Sequence, residues 1–505
     1  MSTKRKLREL LDSELNGAKF IAVSNREPYV HEHANGTIIC KRPAGGLTAA
    51  LDPILRASGG VWIAHGAGSA DAETVDESGR ISVPPDEPSY TLRRVFMDGQ
   101  THSEFYHGLA NEGLWPLCHI AFTRPVFRPR DWKSYQKANQ IFADAVLKEA
   151  GDDPAFVFVQ DYHFALLPRM LKARNPKLII AQFWHIPWPN NEAFRAFPWK
   201  EELLDGLLGN DLLGFHLRYH CANFLETVDR NVEALVDIEH LKVTRKGGNT
   251  LVRPFPISID FDAHGSAAAS DVVQSEMHNW RTNLRFGESP VEFLGVGIDR
   301  IDYTKGIPDR LLGFDLFLEE HPEYRGKVQF IQIGVPSRVE IGEYQVLNAE
   351  LDRTVQGIND RWSTSEWTPV VFFRKYFNLR QLMGLHRLAH FCVVTSLHDG
   401  MNLVAKEYVA SRFDEDGVLI LSRFTGAARE LPDALLVNPF AIGEIADSMA
   451  AALAMSKEER KRRMRRMRLA VAENNIYDWA TRFLTTLLKF DFPQSDLDGD
   501  REPLS

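Results

Sequence analysis

The stretch FLGVGIDRIDYTKG, residues 293–306, decides the fold prediction. Its first half is apolar and β-branched, as expected of a buried strand, and its second half is a polar turn that ends at Gly306. A strand followed by a tight turn into a helix is the opening of a βαβ unit. This stretch therefore predicts a parallel sheet covered by helices.

The same alternation of short apolar runs and longer helical patterns extends over the whole chain. The runs are 20–24, 156–159, 178–183 and 212–215 in the first half, and 293–296, 328–333, 370–373, 391–395 and 418–421 in the second. Two such series predict an α/β protein with two doubly wound, Rossmann-like domains that face each other across a cleft. Ligands of these folds bind where the carboxyl ends of the strands meet the cleft.

The proline-containing segment 253–260 and the small, polar segment 265–271 indicate a crossover and a linker between the two halves. We therefore predict an N-terminal domain over residues 1–255 and a C-terminal domain over residues 256–475. Residues 476–505 are expected to form a helix that returns to the N-terminal domain, followed by a frayed acidic tail.

The composition of the 505-residue chain, 44% hydrophobic and 25% charged, is that of a globular protein. Its net charge of −9 argues against a dedicated nucleic-acid-binding protein, so an anionic ligand needs a local group of cations. We find no secretory signal and no apolar stretch of about 18 residues, which predicts a cytoplasmic protein without a membrane span. The scattered cysteines, Cys40, Cys118, Cys221 and Cys392, are expected to be buried, reduced thiols.

Two further patterns have a structural and a functional interpretation. Residues 456–468 hold eight lysines and arginines, which could form a nucleic-acid or phospholipid surface. The favoured interpretation is a solvated helix face with Met464 and Met467 packed inward. His216 and His220 have the spacing of zinc ligands on a helix, but the adjacent glutamate of the metalloprotease motif is absent, so we expect no metal there.

Polar residues follow several predicted strands of the first half. Arg26 comes directly after the first apolar run, and the Gly45 and Gly46 pair precedes a helix whose free N–H groups would favour a phosphate, although a plain structural turn fits equally well. Asp161 and His185 follow two later runs. Because neighbouring strand ends share one crevice, both are candidates for chemistry; a structural role of the histidine is about as well supported.

Cations follow the strands of the second half. Arg300 and Lys305 flank the turn of the opening stretch, and Arg338 follows the next strand. Such a group suits a diphosphate whose charge rises as a bond to it breaks. The alternative is an ion pair of Arg300 with Asp299 or Asp302.

Residues 398–407, HDGMNLVAKE, form the most specific run of the chain. Asp399 and Gly400 are predicted to close a strand, and the helix expected to begin near Met401 offers free N–H groups to a phosphate. Glu407 lies about two turns into that helix, at a distance suited to a ribose diol on the same ligand.

Together these residues resemble the trehalose-6-phosphate synthase family, retaining glycosyltransferases of the GT-B type with two Rossmann-like domains. The resemblance covers roughly residues 20–487. Its strongest matches are 23–26, 45–47, 114–116, 161–163, 185–187, 302–306, 367–369 and 399–408.

The resemblance implies a role for each matching residue. The donor nucleotide sugar would be bound by Gly46, Arg300, Lys305, Asp399, Gly400, Met401, Asn402, Leu403 and Glu407. The acceptor would be bound by Arg26, Tyr106, Trp115, Asp161 and Arg338. Arg300, Lys305, Asp161 and His185 would be the catalytic residues.

The implied reaction is the transfer of glucose with retention from a nucleotide glucose, UDP-glucose foremost, to glucose 6-phosphate. Arg300 and Lys305 would stabilise the leaving diphosphate, so neither a metal nor a cofactor is implied. The alternatives are a synthase that uses glycerol 3-phosphate, a non-catalytic sugar-phosphate sensor and, less well supported because the dinucleotide fingerprint is missing, a dehydrogenase. ADP and GDP donors and a homo-oligomeric state are left open, and neither nucleic acid nor membrane is expected as a partner.

Two features depart from the commonest bacterial pattern of the family. The segment 27–40 is a longer insert after Arg26 than many members carry, and Arg423 stands where an acidic residue is frequent. Both are expected to border the cleft, where they affect donor preference and loop closure rather than the reaction class.

Overall fold

Two sheets with parallel strands organise the chain, as the alternating pattern predicts. The computed structural model describes residues 3–43, 46–284 and 291–492. The first sheet contains β1 (Lys19–Ser24), β4 (Val61–His65), β5 (Arg80–Val83), β6 (Tyr90–Val95), β7 (Ala155–Gln160), β8 (Ile179–Phe183), β9 (Leu212–Phe215), β10 (Leu235–Asp237), β11 (Lys242–Arg245) and β12 (Gly248–Pro254). A separate hairpin is formed by β2 (Val30–Ala34) and β3 (Thr37–Lys41).

The second sheet follows the same principle. Its strands are β13 (Phe293–Arg300), β14 (Val328–Val335), β15 (Val370–Phe373), β16 (Phe391–Val394), β17 (Val418–Ser422) and β18 (Leu435–Val437). The spatial orders are β10-β11-β12-β9-β8-β7-β1-β4-β6-β5 and β15-β14-β13-β16-β17-β18. Pairs in the second sheet are parallel, whereas β5, β10 and β11 add antiparallel edges to the first.

Helices cover both sheets. Those of the first half are α1 (Thr3–Glu14), α2 (Gly46–Ser58), α3 (Gly99–His102), a π-helix (Ser103–Leu114), α4 (Trp115–His119), α5 (Pro129–Ala150), α6 (Leu167–Arg174), α7 (Asn191–Phe194), α8 (Lys200–Leu207) and α9 (Arg218–Asn231). Those that follow are α10 (Phe261–Ala268), α11 (Asp271–Asn283), α12 (Ile307–Glu320), α13 (Gly342–Trp362), α14 (Leu379–Leu388), α15 (Leu403–Ser411), α16 (Ile442–Ala454), α17 (Lys457–Glu473) and α18 (Ile476–Leu487). Within these ranges, no helix is both long and apolar enough to cross a membrane.

The core strands are apolar on both faces because each face packs against helices. In β1, Phe20 and Ala22 join one buried cluster while Ile21 and Val23 join another, as expected of side chains that alternate across a strand. This burial explains why the strands read as continuous apolar runs in the sequence. The predicted fold class, two doubly wound α/β units, is confirmed.

The last helix packs on the first sheet. The ring of Phe483 in α18 lies 4.4 Å from that of Phe158 and 4.9 Å from that of Phe255, measured between centroids. Ile476 N donates to Ile259 O at 3.0 Å, which ties the start of this helix to the segment after β12. The exact division into domains stays a prediction, and the predicted tail, 493–505, lies outside the described residues.

Two local predictions are wrong. The small, polar segment 265–271, expected to be an irregular linker, holds the end of α10, a two-residue turn and the start of α11, because Asp260 and Ser270 cap these helices and the alanines favour a helix. Cys40 is exposed, since β3 belongs to the hairpin outside the core, while the other cysteines are buried. By contrast, Met464 and Met467 of α17 are buried, as the favoured interpretation requires.

We predict that Phe483→Ala lowers the free energy of unfolding by about 3–5 kcal/mol, because it opens a cavity among the rings that join α18 to the first sheet. Urea denaturation followed by tryptophan fluorescence measures this change. Leu469→Ala is the control: its side chain is 56% exposed, so a change within about 0.5 kcal/mol is expected. Equal effects of the two substitutions would contradict the packing of α18 described above.

Candidate active site

A cavity of about 450 Å³ lies between the two sheets, where the carboxyl ends of their strands meet. Of the described residues, it is lined by Arg26, Tyr106, Trp115, Asp161, His185, Arg300, Lys305, Arg338, Asp399, Met401, Asn402, Leu403 and Glu407, together with others. The structure thus brings together the sequence-predicted site residues except Gly46 and Gly400. A larger cavity, of about 990 Å³, lies beside β15 and contains none of them.

The two glycines have different positions. Gly46 begins α2, but residues 44–45 lie outside the described ranges, so the predicted phosphate loop stays a prediction. Gly400 packs against the first half of the chain: a Cβ there would lie 2.4 Å from the His185 carbonyl oxygen and 2.9 Å from His216 Cδ2. Only glycine permits this approach of the two walls.

An extended π-helix carries the predicted acceptor residue Tyr106. π-helices are rare and are frequent at functional sites. The Asn111 side chain stabilises this one, since its Nδ2 donates to Tyr106 O at 2.7 Å and its Oδ1 accepts from Tyr162 Oη at 2.9 Å. Asn111 therefore joins the π-helix to the turn that follows Asp161.

A buried carboxylate, Asp302, connects the walls of the cavity. It accepts from Trp115 Nε1 of the first half at 3.3 Å, from Arg338 Nη1 at 3.1 Å and from Tyr344 Oη at 2.9 Å. Although burial opposes the charge, Arg338 and Arg300 hold the pKa of Asp302 below its usual range. The ion-pair alternative of the sequence analysis is therefore realised by Arg338, not by Arg300.

The Trp115 ring of the first half supports two cations of the second half. The guanidinium of Arg338 lies 4.1 Å from the centroid of the Trp115 ring, and that of Arg300 lies 5.5 Å from it. Burial raises the pKa of Tyr106, but the charges of Arg26 and Arg338 outweigh it, so the pKa is lowered overall. Together, these arginines and Tyr106 present positive charge and a hydroxyl to the cavity, which suits a phosphate.

The wall of the cavity formed by the second half is built around Lys305 and Asp399. Lys305 Nζ donates to Asp399 Oδ2 at 2.5 Å, and this cation, outweighing burial, lowers the pKa of Asp399 to about 2. Asn402, at φ +80°, caps α15 by accepting from Ala405 N at 3.1 Å. The helix begins at Leu403 rather than near Met401, and Asp399 bridges to Thr425 rather than ending β16.

Arg300 remains available to a ligand. Within the described residues it forms no ion pair with Asp299 or Asp302, because Asp299 pairs with Arg310 at 2.6 Å and Asp302 with Arg338. Arg310 is fully buried and also donates to Thr395 Oγ1 at 3.0 Å. It thereby fixes the turn between Arg300 and α12.

Asp161 and His185 are neighbours that line the cavity at the ends of adjacent strands of the first sheet. Asp161 adopts φ +70°, unusual for a residue with a side chain, and its Oδ1 accepts from Tyr162 N at 3.0 Å and from His185 N at 3.1 Å. Burial raises the pKa of Asp161 to about 7 and lowers that of His185 to about 3. His185 is thus neutral, with Nε2 2.9 Å from Gln160 Oε1.

The comparison with known proteins agrees with this geometry. The profile of glycosyltransferase family 20 matches residues 18–489. The chain belongs to this family. A trehalose-6-phosphate synthase of Mycolicibacterium vanbaalenii is 36% identical over 484 residues, which cover 94% of this chain and 97% of that relative.

Solved structures share the architecture. A structure from E. coli bound with UDP-2-fluoro glucose matches with a TM-score of 0.84 and 30% identity, over 94% of this chain and 100% of that one. An α,α-trehalose-phosphate synthase (UDP-forming) from Burkholderia xenovorans, in complex with glucose-6-phosphate, matches with a TM-score of 0.82 and 30% identity, over 93% and 100%. The resemblance to the trehalose-6-phosphate synthase family and the GT-B fold class are therefore confirmed.

Several residues of this family 20 glycosyltransferase were missed by the sequence analysis. Tyr344 contacts Asp302 from a helix 42 residues later in the chain, so no local pattern marks it. Asn111 acts through the five-residue spacing of a π-helix, which an α-helical periodicity does not reveal. Asp302 was within a matched motif, but only as a partner of Arg300.

One expectation for the cleft is wrong, and the position of His216 is now defined. Arg423 is not among the residues lining the cavity; its Nη2 donates to Glu444 Oε2 at 2.9 Å on an exposed surface. His216 Nε2 lies 3.0 Å from the His185 carbonyl oxygen, a structural contact. Among the described residues, no three His, Cys, Asp or Glu side chains are grouped so as to hold a metal ion.

Glu407 lines the cavity, and its carboxyl group forms no ion pair with any residue that the structure describes. Burial raises its pKa to about 7. In the unfolded chain this carboxyl loses its proton near pH 4.5, but in the folded protein it keeps the proton up to about pH 7. Ionisation therefore favours the unfolded state, and the stability of the protein falls as the pH rises from about 4.5 to 7.

We predict that Glu407→Gln raises the free energy of unfolding relative to the wild type. The difference should grow from pH 5 to pH 7, reach up to about 3 kcal/mol, and stay constant above pH 7. Calorimetry between pH 5 and 8 measures the change. Asp399→Asn is the matched comparison: the pKa of Asp399 is lowered, so this substitution should destabilise the protein over the whole range. A Glu407→Gln curve parallel to that of the wild type would contradict the burial of this carboxyl.

Proposed function

We propose that this glycosyltransferase is an α,α-trehalose-phosphate synthase, which transfers glucose with retention from UDP-glucose to glucose 6-phosphate. The observation that carries the proposal is one cavity in which Arg300, Lys305 and Arg338 meet Arg26 and Tyr106 of the opposite wall. Cations on both walls suit a diphosphate donor and a phosphorylated acceptor. The solved relatives bound with UDP-2-fluoro glucose and with glucose-6-phosphate support this pair of substrates.

The donor is assigned to the wall formed by the second sheet. Its diphosphate contacts Arg300, Lys305 and the backbone N–H groups at the start of α15, where the helix dipole favours an anion. Glu407 accepts hydrogen bonds from the ribose hydroxyls. The remaining donor contacts come from Gly46, Asp399, Gly400, Met401, Asn402 and Leu403.

The acceptor is assigned to the wall formed by the π-helix and β1. Its phosphate is bound by Arg26, Tyr106 and Arg338. The ring of Trp115 supports the guanidinium of Arg338 by a cation–π contact. Arg338 comes from the second half, so the acceptor site is completed only when the two walls meet. Asp161 accepts a hydrogen bond from an acceptor hydroxyl.

The chemistry follows from where the charge develops. As the glucosyl bond breaks, the sugar becomes oxocarbenium-like and the UDP phosphate gains negative charge, which Arg300 and Lys305 stabilise. Each such group contributes about 3–4 kcal/mol to lowering the barrier. The acceptor hydroxyl attacks the face that UDP leaves and passes its proton to the departing phosphate oxygen, so configuration is retained. Neutral His185 orients the sugar, and the step as proposed uses no metal and no cofactor.

The proposal extends to the organisation of the chain. Residues 1–255 bind the acceptor, residues 256–475 bind the donor, and the helix Ile476–Leu487 at the start of the third segment, 476–505, returns to the first domain. A cytoplasmic location and the oligomeric state stay predictions.

We predict that the protein forms a disaccharide phosphate from UDP-glucose and glucose 6-phosphate in the presence of EDTA. The assay combines UDP-, ADP- and GDP-glucose with glucose 6-phosphate or glycerol 3-phosphate and identifies products by mass spectrometry. A product with glycerol 3-phosphate but none with glucose 6-phosphate would contradict the acceptor assignment. Loss of activity in EDTA would contradict the metal-independent step. Absence of turnover with every pair would favour a sensor.

The double variant Arg300→Ala/Lys305→Ala should lower kcat by about 10⁴-fold or more, since two groups that stabilise the leaving diphosphate are lost. Glucose 6-phosphate binding, measured by calorimetry, should change little because neither group is assigned to the acceptor. Arg423→Ala is the control, because this arginine pairs with Glu444 away from the cavity. A near-normal rate of the double variant would rule out the assigned role.

A further inference from the structure

A buried ion network lies directly behind Arg26. Glu27, the next residue, accepts from Arg94 Nε at 2.7 Å and from Ala67 N at 3.1 Å. The side chains of Arg94 and Glu27 are 0% and 2% exposed. Arg94 belongs to β6, so the network connects the residue after Arg26 to the frame of the first sheet.

The same guanidinium holds the base of the insert 27–40. Arg94 Nη2 lies 2.8 Å from Asp71 Oδ1 and donates to Tyr29 O at 2.9 Å, and Nη1 donates to Thr74 Oγ1 at 2.7 Å. Asp71 in turn accepts from His31 N at 2.8 Å at the start of the hairpin. One side chain therefore fixes where the insert leaves the sheet.

The backbone around Arg26 is fixed by this frame, while the end of its side chain meets the Tyr106 hydroxyl in the cavity. Its side chain is exposed in the cavity, and the neighbouring backbone is fixed by Ser24 Oγ, which donates to Arg26 O at 2.6 Å, and by the contacts of Glu27. Moving an exposed arginine by an ångström is enough to weaken a phosphate contact.

We propose that Arg94 is a positioning residue for acceptor binding, which acts through Glu27 to fix Arg26 against the phosphate of the acceptor. The inference rests on the proposed function. Buried ion networks are weak sources of stability, because apolar side chains of similar size often replace them at no cost. Their value here is geometric: the forked guanidinium holds several oxygens at fixed angles.

The chain provides a matched control in the adjacent residue. Arg93 is also buried in β6, but consecutive side chains of a strand point to opposite faces of the sheet. It donates to Glu149 Oε1 at 2.7 Å and to Ala145 O at 3.0 Å, both on α5. Arg93 is thus also part of a buried ion pair, and among the described residues its side chain forms no hydrogen bond or ion pair with the network of Arg94.

The test compares Arg94→Met with Arg93→Met in steady-state assays of the full chain. Arg94→Met should raise KM for glucose 6-phosphate about tenfold or more, while KM for UDP-glucose and kcat at saturating acceptor change less than about threefold. Arg93→Met should leave both KM values within about twofold. Arg94→Lys should restore binding only in part, since an ammonium cannot replace the fork.

A double-mutant cycle separates positioning from general loosening. If Arg94 acts through Arg26, Arg94→Met should add less than about twofold to KM in an Arg26→Ala background. Full additivity, an unchanged KM in Arg94→Met, or an equal rise in Arg93→Met would each overturn the inference. Should Arg94→Met not fold, Glu27→Gln is measured in its place with the same criteria.

The two proposals fail in different ways. Wild-type turnover with glucose 6-phosphate tests the proposed function. The ratio of KM for glucose 6-phosphate between Arg94→Met and the wild type tests the role of Arg94. A ratio of one in a fully active synthase would overturn the role of Arg94 and leave the proposed function intact.

Discussion

The carboxylate of Asp302 is the contact on which the active-site cavity depends. Its side chain is 0% exposed, and it accepts hydrogen bonds from Trp115 on one wall and from Arg338 and Tyr344 on the other. A buried charge costs several kcal/mol unless its partners are complete. Here they are complete only when both halves of the chain are in place, so the same group that closes the cavity also sets Arg338 over the Trp115 ring. The position of Arg338 in the cavity therefore follows from the packing of the two halves.

Mutual repulsion among the cations is relieved by partners that the protein itself supplies. Lys305 pairs with Asp399, Arg338 pairs with Asp302, and Arg300 lies over the Trp115 ring. In a chain with a net charge of −9, this local excess of positive charge needs such support in the absence of a ligand. Because the partners fix the cations beforehand, little reorganisation remains for the moment when the leaving diphosphate gains charge.

The sequence predicts the fold and the strand-end residues of the site because both depend on local patterns. Buried parallel strands read as apolar runs, and their carboxyl ends place Asp161, His185 and Arg300 at one cleft. Contacts set by tertiary structure escape such reasoning. Tyr344 reaches Asp302 from a distant helix, and the segment 265–271 resembles a linker although its caps make it helical. Cys40 was misjudged because its apolar neighbours lie on an exposed hairpin.

The carboxyl groups of the cavity fall into two sets, and the division explains what each set does. Asp302 and Asp399 form ion pairs with Arg338 and Lys305 and have lowered pKa values. Burial raises the pKa values of Asp161 and Glu407 to about 7; Asp161 accepts two backbone hydrogen bonds, and neither carboxyl forms an ion pair with any described residue. Sugar and ribose hydroxyls are neutral groups that donate and accept hydrogen bonds, so they suit carboxyls of this kind better than a cation would. The carboxylates in ion pairs thus hold the cations in place, and in the proposed function the other two carboxyls would bind the hydroxyls of the substrates.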